Sequence, residues 1–156
     1  MRTVRSASPA MLVVACTLFL VALTTVLHFE VLRGLTAGLP VLPVASRSKV
    51  LVAIFATLAA HAFEMTLYGL AFYLLVRHAD VGGLTGRIAP TLVTCLYFSA
   101  ETYTSLGFGD LTPVGPIRLM AGAEALNGLL LIGWSASYAH IVIERYTEPK
   151  RGARER

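Results

Sequence analysis

Three long apolar runs restrict the folds open to this chain. The 18 residues from Ala10 to Leu27 carry no charge, and the 27 residues from Val50 to Val76 include only His61 and Glu64 as acidic or basic side chains. A third apolar run extends from Leu119 to Ile143. The core of a soluble domain does not require runs of this kind, whereas a bilayer core about 30 Å thick does. The runs therefore predict an all-α membrane protein with three transmembrane helices.

Composition and charge favour the same class of protein. The 156 residues are 56% hydrophobic and 14% charged, with a mean hydropathy of +0.70, which is typical of multi-pass membrane proteins. The net charge of +4 is compatible with nucleic-acid binding. However, the basic residues gather in loops and in the tail from Lys150 to Arg156, as the positive-inside rule describes. We therefore predict no nucleic-acid partner.

Cys16 and Cys95 fall in apolar segments, so no disulfide framework is expected.

The first run has two interpretations. Arg2 and Arg5 precede it, as basic residues precede the apolar part of a secretory signal peptide. The run is long, however, and no small-x-small cleavage pattern closely follows it. We therefore expect a retained transmembrane helix that ends near Glu30 or Arg33. A cytoplasmic loop is predicted from Gly34 to Ser48.

The segment between the second and third runs is predicted to enter the membrane and return. After a polar turn over residues 77–89, Pro90 favours the start of a short helix that extends from Thr91 to Thr104. At 1.5 Å per residue this helix is about 21 Å long, too short to cross a bilayer. Pro113 and Pro116 mark the return to the surface.

Seven residues rich in glycine and polar groups follow the short helix: Thr104-Ser105-Leu106-Gly107-Phe108-Gly109-Asp110. Irregular backbone at membrane depth is tolerated only where protein buries it or where it lines a water-filled path. Glycine adopts left-handed φ without steric cost. A strand in which Gly107 and Gly109 alternate with larger residues can therefore turn successive carbonyl groups to the same side. Four such strands around an axis would stack rings of oxygens that replace the water shell of an ion.

This septet resembles the filter of the tetrameric potassium-channel pore family, which reads T-V-G-Y-G-D or T-x-G-F-G-D. The resemblance is strongest from Tyr97 to Gly133 and extends more weakly from Val50 to Arg145. It implies a homotetramer in which each chain supplies a re-entrant pore helix and a selectivity-filter loop. The implied organisation is an N-terminal helix and loop (1–47), a pore domain (48–145) and a basic cytoplasmic tail (146–156). Within the pore domain we expect an outer helix (50–76), a pore helix (91–104), a filter (104–110) and an inner helix (117–143).

The resemblance also assigns roles to individual residues. The backbone carbonyl oxygens of Ser105, Leu106, Gly107 and Phe108 would bind K⁺ as the permeant ion, with no other cofactor, and the Ser105 hydroxyl would close the innermost ion site. Two departures from the family pattern bear on this expectation, because serine replaces threonine at 105 and leucine replaces valine at 106. Phenylalanine in place of tyrosine at 108 also removes a hydroxyl group that could form a hydrogen bond behind the filter. Selectivity for K⁺ is expected, and a weakly selective cation channel is the alternative.

Three further residues are expected to support the filter: Tyr97, Phe98 and Glu101. Tyr97 and Phe98 match the aromatic pair that packs around it in the family. Glu101 and Asp110 match two acids that approach each other there and share a proton or a water, which would raise one of the two pKa values. The other interpretation of Glu101 is a simple acid on the helix surface.

On the third run, the resemblance implies a stripe of residues that faces the ion path. Gly128 takes the position of a hinge glycine. The residues expected to line the path or form its gate recur at helical spacing: Leu129, Ile132, Gly133, Ala136 and His140. Protonation of His140 would place positive charge in a cation path, so we predict that cytoplasmic acid inhibits flux. The alternative is an interfacial histidine that faces lipid headgroups.

Four polar side chains within the apolar runs are predicted to form one network: His61, Glu64, Glu124 and Asn127. Its role is either hydrogen-bonded packing or gating. Histidine and glutamate at membrane depth also allow an enzyme that ligates iron or zinc. The chain has one H-x-x-E pattern and no E-x-x-H, and this alternative would leave the septet without a purpose. We therefore predict no catalytic residue and no enzyme activity.

The expected function is passive movement of K⁺ through a homotetramer in the plasma (cell inner) membrane, with membrane lipid and copies of the chain as partners. If the re-entrant loop faces the outside of the cell, eight basic residues lie on the cytoplasmic side and five outside. This distribution agrees with the positive-inside rule. The amino terminus then lies outside. No run carries arginine at three-residue intervals, so no voltage sensor is expected. One pore module fills the chain, with no room for a ligand-sensing domain.

Overall fold

Three long helices and one short helix make up most of the computed structural model, which describes residues 8–86, 89–107 and 109–147. In chain order the elements are α1 (Pro9–Val41), α2 (Ser46–His78), β1 (Gly83–Gly86), α3 (Leu92–Tyr103), β2 (Leu111–Val114) and α4 (Arg118–Thr147). The helices α1, α2 and α4 are long and apolar enough to cross a membrane. The prediction of three such helices is confirmed.

The helix α1 continues beyond its predicted end. The sequence predicts a loop from Gly34 to Ser48, but α1 extends to Val41 and only residues 42–45 connect it to α2. Two glycines and a proline lie inside this part of the helix, against their usual preference. Packing explains the difference, because Leu39 is buried with residues of α2 and α4. The Lys49 ammonium group also donates a hydrogen bond of 3.0 Å to the carbonyl oxygen of Pro40 and satisfies the carboxyl end of α1.

The start of α3 is set by a threonine cap. The Thr91 hydroxyl accepts a hydrogen bond of 3.3 Å from the Thr94 backbone N–H, and the helix begins at Leu92. Pro90 therefore lies one residue before the cap and not at the first helical position. With 12 residues, α3 is about 18 Å long, so it cannot cross a bilayer.

A short antiparallel sheet, which the sequence pattern does not predict, closes the base of the segment that holds α3. Strand β1 pairs with β2, with Gly83 opposite Val114 and Gly86 opposite Leu111. Pro113 lies within β2, a position that an edge strand tolerates because the missing N–H group has no ladder partner to lose. The sheet holds the two ends of the segment between β1 and β2 next to each other, so both ends are fixed.

The core surrounds α3. Its Phe98 ring meets Phe72 of α2 edge to face, with the ring centroids 5.0 Å apart. Met120 and Leu131 of α4 are buried in the same cluster. The helix α1 packs against both α2 and α4. As a result, α3 is held by two helices, and α1 supports those two from outside.

Candidate functional site

The carboxyl end of α3 lies near the middle of the long helices. The Tyr103 hydroxyl is 2.9 Å from Nδ1 of His61, which is close to the midpoint of α2. Tyr103 also lies against Gly128 of α4, because a Cβ atom added at Gly128 would lie 2.2 Å from the Tyr103 carbonyl oxygen. The septet therefore starts at membrane depth if the long helices span the bilayer.

The first residues of the septet close α3 with a Schellman motif. The Leu106 N–H donates to the Glu101 carbonyl and the Ser105 N–H donates to the Thr102 carbonyl, both at 3.0 Å. This motif requires a left-handed residue, and Ser105 has φ of +56°. Gly107 has φ of +102°. Leu106 therefore lies between two residues with left-handed φ.

The ring of carbonyl oxygens needs several chains and stays a prediction. Residues 104–107 are exposed in the single chain, and Leu106 is 80% exposed. The remaining predicted ion ligand, Phe108, lies outside the described residues.

Glu101 has a different partner from the one that the resemblance implies. The Tyr97 hydroxyl donates a hydrogen bond of 2.6 Å to Oε1 of Glu101, whereas Asp110 is exposed. A Cβ atom added at Gly109 would lie 3.0 Å from the same carboxylate oxygen, so Glu101 lies directly behind the septet. Glu101 is buried, and its Oε2 has no hydrogen-bond partner among the described residues. Its interpretation as a simple surface acid is therefore wrong, and sharing a proton or a water with Asp110 stays a prediction.

The predicted stripe on α4 divides into two groups. Leu129, Gly133, Ala136 and His140 are exposed in the single chain, as expected for a face that other chains or water would cover, and Ile132 is half-buried. Gly128 is buried instead and permits the close contact with Tyr103. Nε2 of His140 lies 3.3 Å from the Glu144 carboxylate one turn later.

A buried cluster joins all four helices, and three of its members, His28, Tyr103 and Ser135, are absent from the predicted network. His28 of α1 places Nδ1 at 3.0 Å from Oε1 of Glu64 and Nε2 at 3.0 Å from Oγ of Ser135. Nε2 of His61 lies 3.0 Å from the same serine oxygen, and the Tyr103 hydroxyl donates to Oε2 of Glu64. A signal for His28 exists in the sequence, since it directly follows the first uncharged run.

Hydrogen-bond donors are scarce in this buried cluster. Five contacts join its members: His28 to Glu64, His28 to Ser135, His61 to Tyr103, His61 to Ser135, and Tyr103 to Glu64. Two neutral histidines, one tyrosine and one serine supply one donor each, which is one fewer than the number of contacts. A buried carboxylate in such a set favours a positively charged partner beside it.

The other predicted network members form separate contacts. Glu124 is buried and accepts a hydrogen bond from the Ser99 hydroxyl of α3. The Asn127 amide donates 2.8 Å to Thr24 of α1 and 3.3 Å to the Tyr68 hydroxyl. The single predicted network is therefore wrong, because these side chains point toward different neighbours around α4.

Replacing Tyr103 by phenylalanine is expected to lower the free energy of unfolding by about 1–3 kcal/mol, since the buried Glu64 carboxylate loses a donor. Tyr138→Phe is the matched control, because the Tyr138 hydroxyl accepts an exposed hydrogen bond of 3.4 Å from Thr36 and has no other hydrogen-bond partner in the described part of the chain. Chemical unfolding of both variants in detergent measures the difference. Equal stability of the two variants would show that the Tyr103 hydroxyl is not a structural donor.

The comparison with known proteins agrees with this geometry. Residues 50–145 match the model of a protein family that is described as ion channel, and this range covers more than half of the chain. It includes α3, both strands and most of α2 and α4, but not α1. No curated protein and no solved structure matches the chain. The match favours ion transport over catalysis, and together with the three apolar helices it indicates an integral membrane protein. The chain belongs to the ion channel family.

Proposed function

We propose that the protein is a homotetrameric channel that conducts K⁺ passively through a pore lined by residues 104–110. One observation carries the proposal. The exposed irregular backbone from Thr104 to Gly107 follows a helix whose carboxyl end lies near the middle of two long apolar helices. Such backbone is not stable against lipid, because its polar groups would have no partners. Further chains and a water-filled path must therefore surround it.

The polarity of α3 supports a cation as the permeant ion. A helix carries partial negative charge at its carboxyl end, and α3 ends at Tyr103, directly before the exposed backbone. Stacked carbonyl oxygens would add to this field and replace the water shell of the ion. We place the channel in the plasma (cell inner) membrane, and we assign it no voltage sensor of its own.

Measurements on the purified protein in a lipid bilayer test this function. With K⁺ on one side and Na⁺ on the other, we expect a reversal potential that shows a clear preference for K⁺. Equal permeability would instead favour the weakly selective cation channel, which the replacements at 105, 106 and 108 keep open. Single chains in nanodiscs, without a central conduit, would contradict the proposal as a whole.

A second measurement tests the role of His140. We expect acid on the cytoplasmic side to reduce K⁺ flux, because protonated His140 side chains would repel a cation from the path. His140→Ala is expected to weaken this inhibition. His78→Ala is the control, because His78 is exposed and lies at the carboxyl end of α2, away from the predicted gate. If the pH dependence of flux is the same in both variants, His140 is an interfacial residue and not a gate.

A further inference from the structure

We propose that His28, His61 and Glu64 form a Zn²⁺ site between α1 and α2. One ligand atom from each residue lies within 4.8 Å of the other two. His28 and Glu64 are fully buried, and the His61 side chain is 12% exposed. The set of two imidazoles and one carboxylate is one that binds zinc in proteins.

The distances fit a tetrahedral metal with little rearrangement. Ligand bonds of about 2.0–2.2 Å to zinc place neighbouring ligand atoms about 3.3 Å apart. Nδ1 of His28 is already 3.0 Å from Oε1 of Glu64, and Nδ1 of His61 is 3.3 Å from Oε2 of Glu64. These contacts go to the two different oxygens of one carboxylate, so each histidine has one carboxylate oxygen near the required spacing. The three ligand atoms, which lie within 4.8 Å of one another, would have to move closer together to bind zinc.

Ser135 holds the two rings in the orientation that the metal requires. Its Oγ lies 3.0 Å from Nε2 of both histidines. A hydroxyl oxygen has two lone pairs, so it can accept an N–H group from each ring. With zinc bound, that arrangement would leave both Nδ1 atoms unprotonated, on the side of Glu64 where the metal would bind. Metal-binding histidines in proteins are generally fixed by a partner of this kind at the other ring nitrogen.

Zinc would also supply positive charge beside the Glu64 carboxylate. This side chain is fully buried, and an unpaired charge is costly there. The Tyr103 hydroxyl lies 2.9 Å from Nδ1 of His61, so it is next to the proposed site.

A groove gives the metal a route to the site. It has a volume of about 410 Å³ and lies between α2, α4 and the end of α3, with His61, Tyr103 and Ser135 among its lining residues. Ile132 and Ala136, which are predicted to face the ion path, line the same groove. The access from the ion path rests on the proposed function, whereas the ligand set does not.

Zinc binding is measured on the full chain in detergent, after treatment with a chelator and removal of any histidine tag. This measurement does not depend on ion flux, so it can succeed or fail independently of the proposed channel function. The chain contains four histidines, and the variant His78→Ala/His140→Ala keeps only His28 and His61. We expect this variant and the wild type to bind one Zn²⁺ per chain. The X-ray absorption spectrum at the zinc edge is expected to show two imidazole ligands in both proteins.

Two single variants complete the test. His28→Gln is expected to weaken the affinity about 100-fold, and Ser135→Ala, which removes only the positioning hydroxyl, about 10-fold. The proposal is overturned if the double variant binds no zinc, if its spectrum lacks two imidazole ligands, or if His28→Gln binds as tightly as the wild type. The first two results can be read even if His28→Gln does not fold. They would leave the cluster as a hydrogen-bonded link between helices.

Discussion

Replacing Gly107 by alanine is expected to abolish K⁺ flux while the chain still folds and inserts. Gly107 has φ of +102°, a conformation that costs a residue with a Cβ atom about 1–2 kcal/mol. In the proposed tetramer this cost occurs four times around one axis. Among the described residues of the single chain, no atom lies within 4 Å of an added Cβ, so the expected effect is on backbone conformation and not on packing. The carbonyl groups on either side would turn away from the ion path.

Gly34→Ala is the matched control for this prediction. Gly34 lies in α1, outside the range that matches the ion channel family, and an added Cβ there also has no atom within 4 Å. Helical backbone accepts alanine readily, so flux from proteoliposomes should equal that of the wild type. Normal K⁺ flux through Gly107→Ala would show that the backbone at this position does not form the conduction path.

Replacing Gly128 by alanine is expected to cause a large loss of stability. The added Cβ would lie 2.2 Å from the Tyr103 carbonyl oxygen and 2.9 Å from the Tyr103 carbonyl carbon. Backbone atoms cannot rotate away as a flexible side chain can, so α4 and α3 must separate. Overpacking of this kind costs about 1–3 kcal/mol, and sometimes more. Separation would also weaken the contacts of Tyr103 with His61 and Glu64.

Gly133→Ala on the same helix is the control. Gly133 is exposed, and no atom lies within 4 Å of an added Cβ. Alanine favours the helix relative to glycine by roughly 0.5–1 kcal/mol, so its midpoint of thermal unfolding should be equal to or above that of the wild type. A Gly128→Ala variant that unfolds at the same temperature as Gly133→Ala would contradict the close contact between α3 and α4.

The length of α1 differs from its prediction because of tertiary packing. Gly34, Gly38 and Pro40 are poor helix formers, and a local pattern predicts a loop there. The helix continues because Leu39 is buried against other helices and Lys49 satisfies a terminal carbonyl. The contact between Tyr97 and Glu101 is a local one, because both residues lie on one face of α3, one turn apart.

Local sequence determined the number of apolar helices, the short helix after Pro90 and the position of the glycine septet, because length, hydropathy and glycine spacing act over neighbouring residues. Only the tertiary structure decided that His28 meets Glu64, that Gly128 contacts Tyr103, and that the segments on either side of α3 form a sheet. These contacts join residues far apart in the chain. Their partners depend on how the helices pack, and no periodic pattern within one helix records that arrangement.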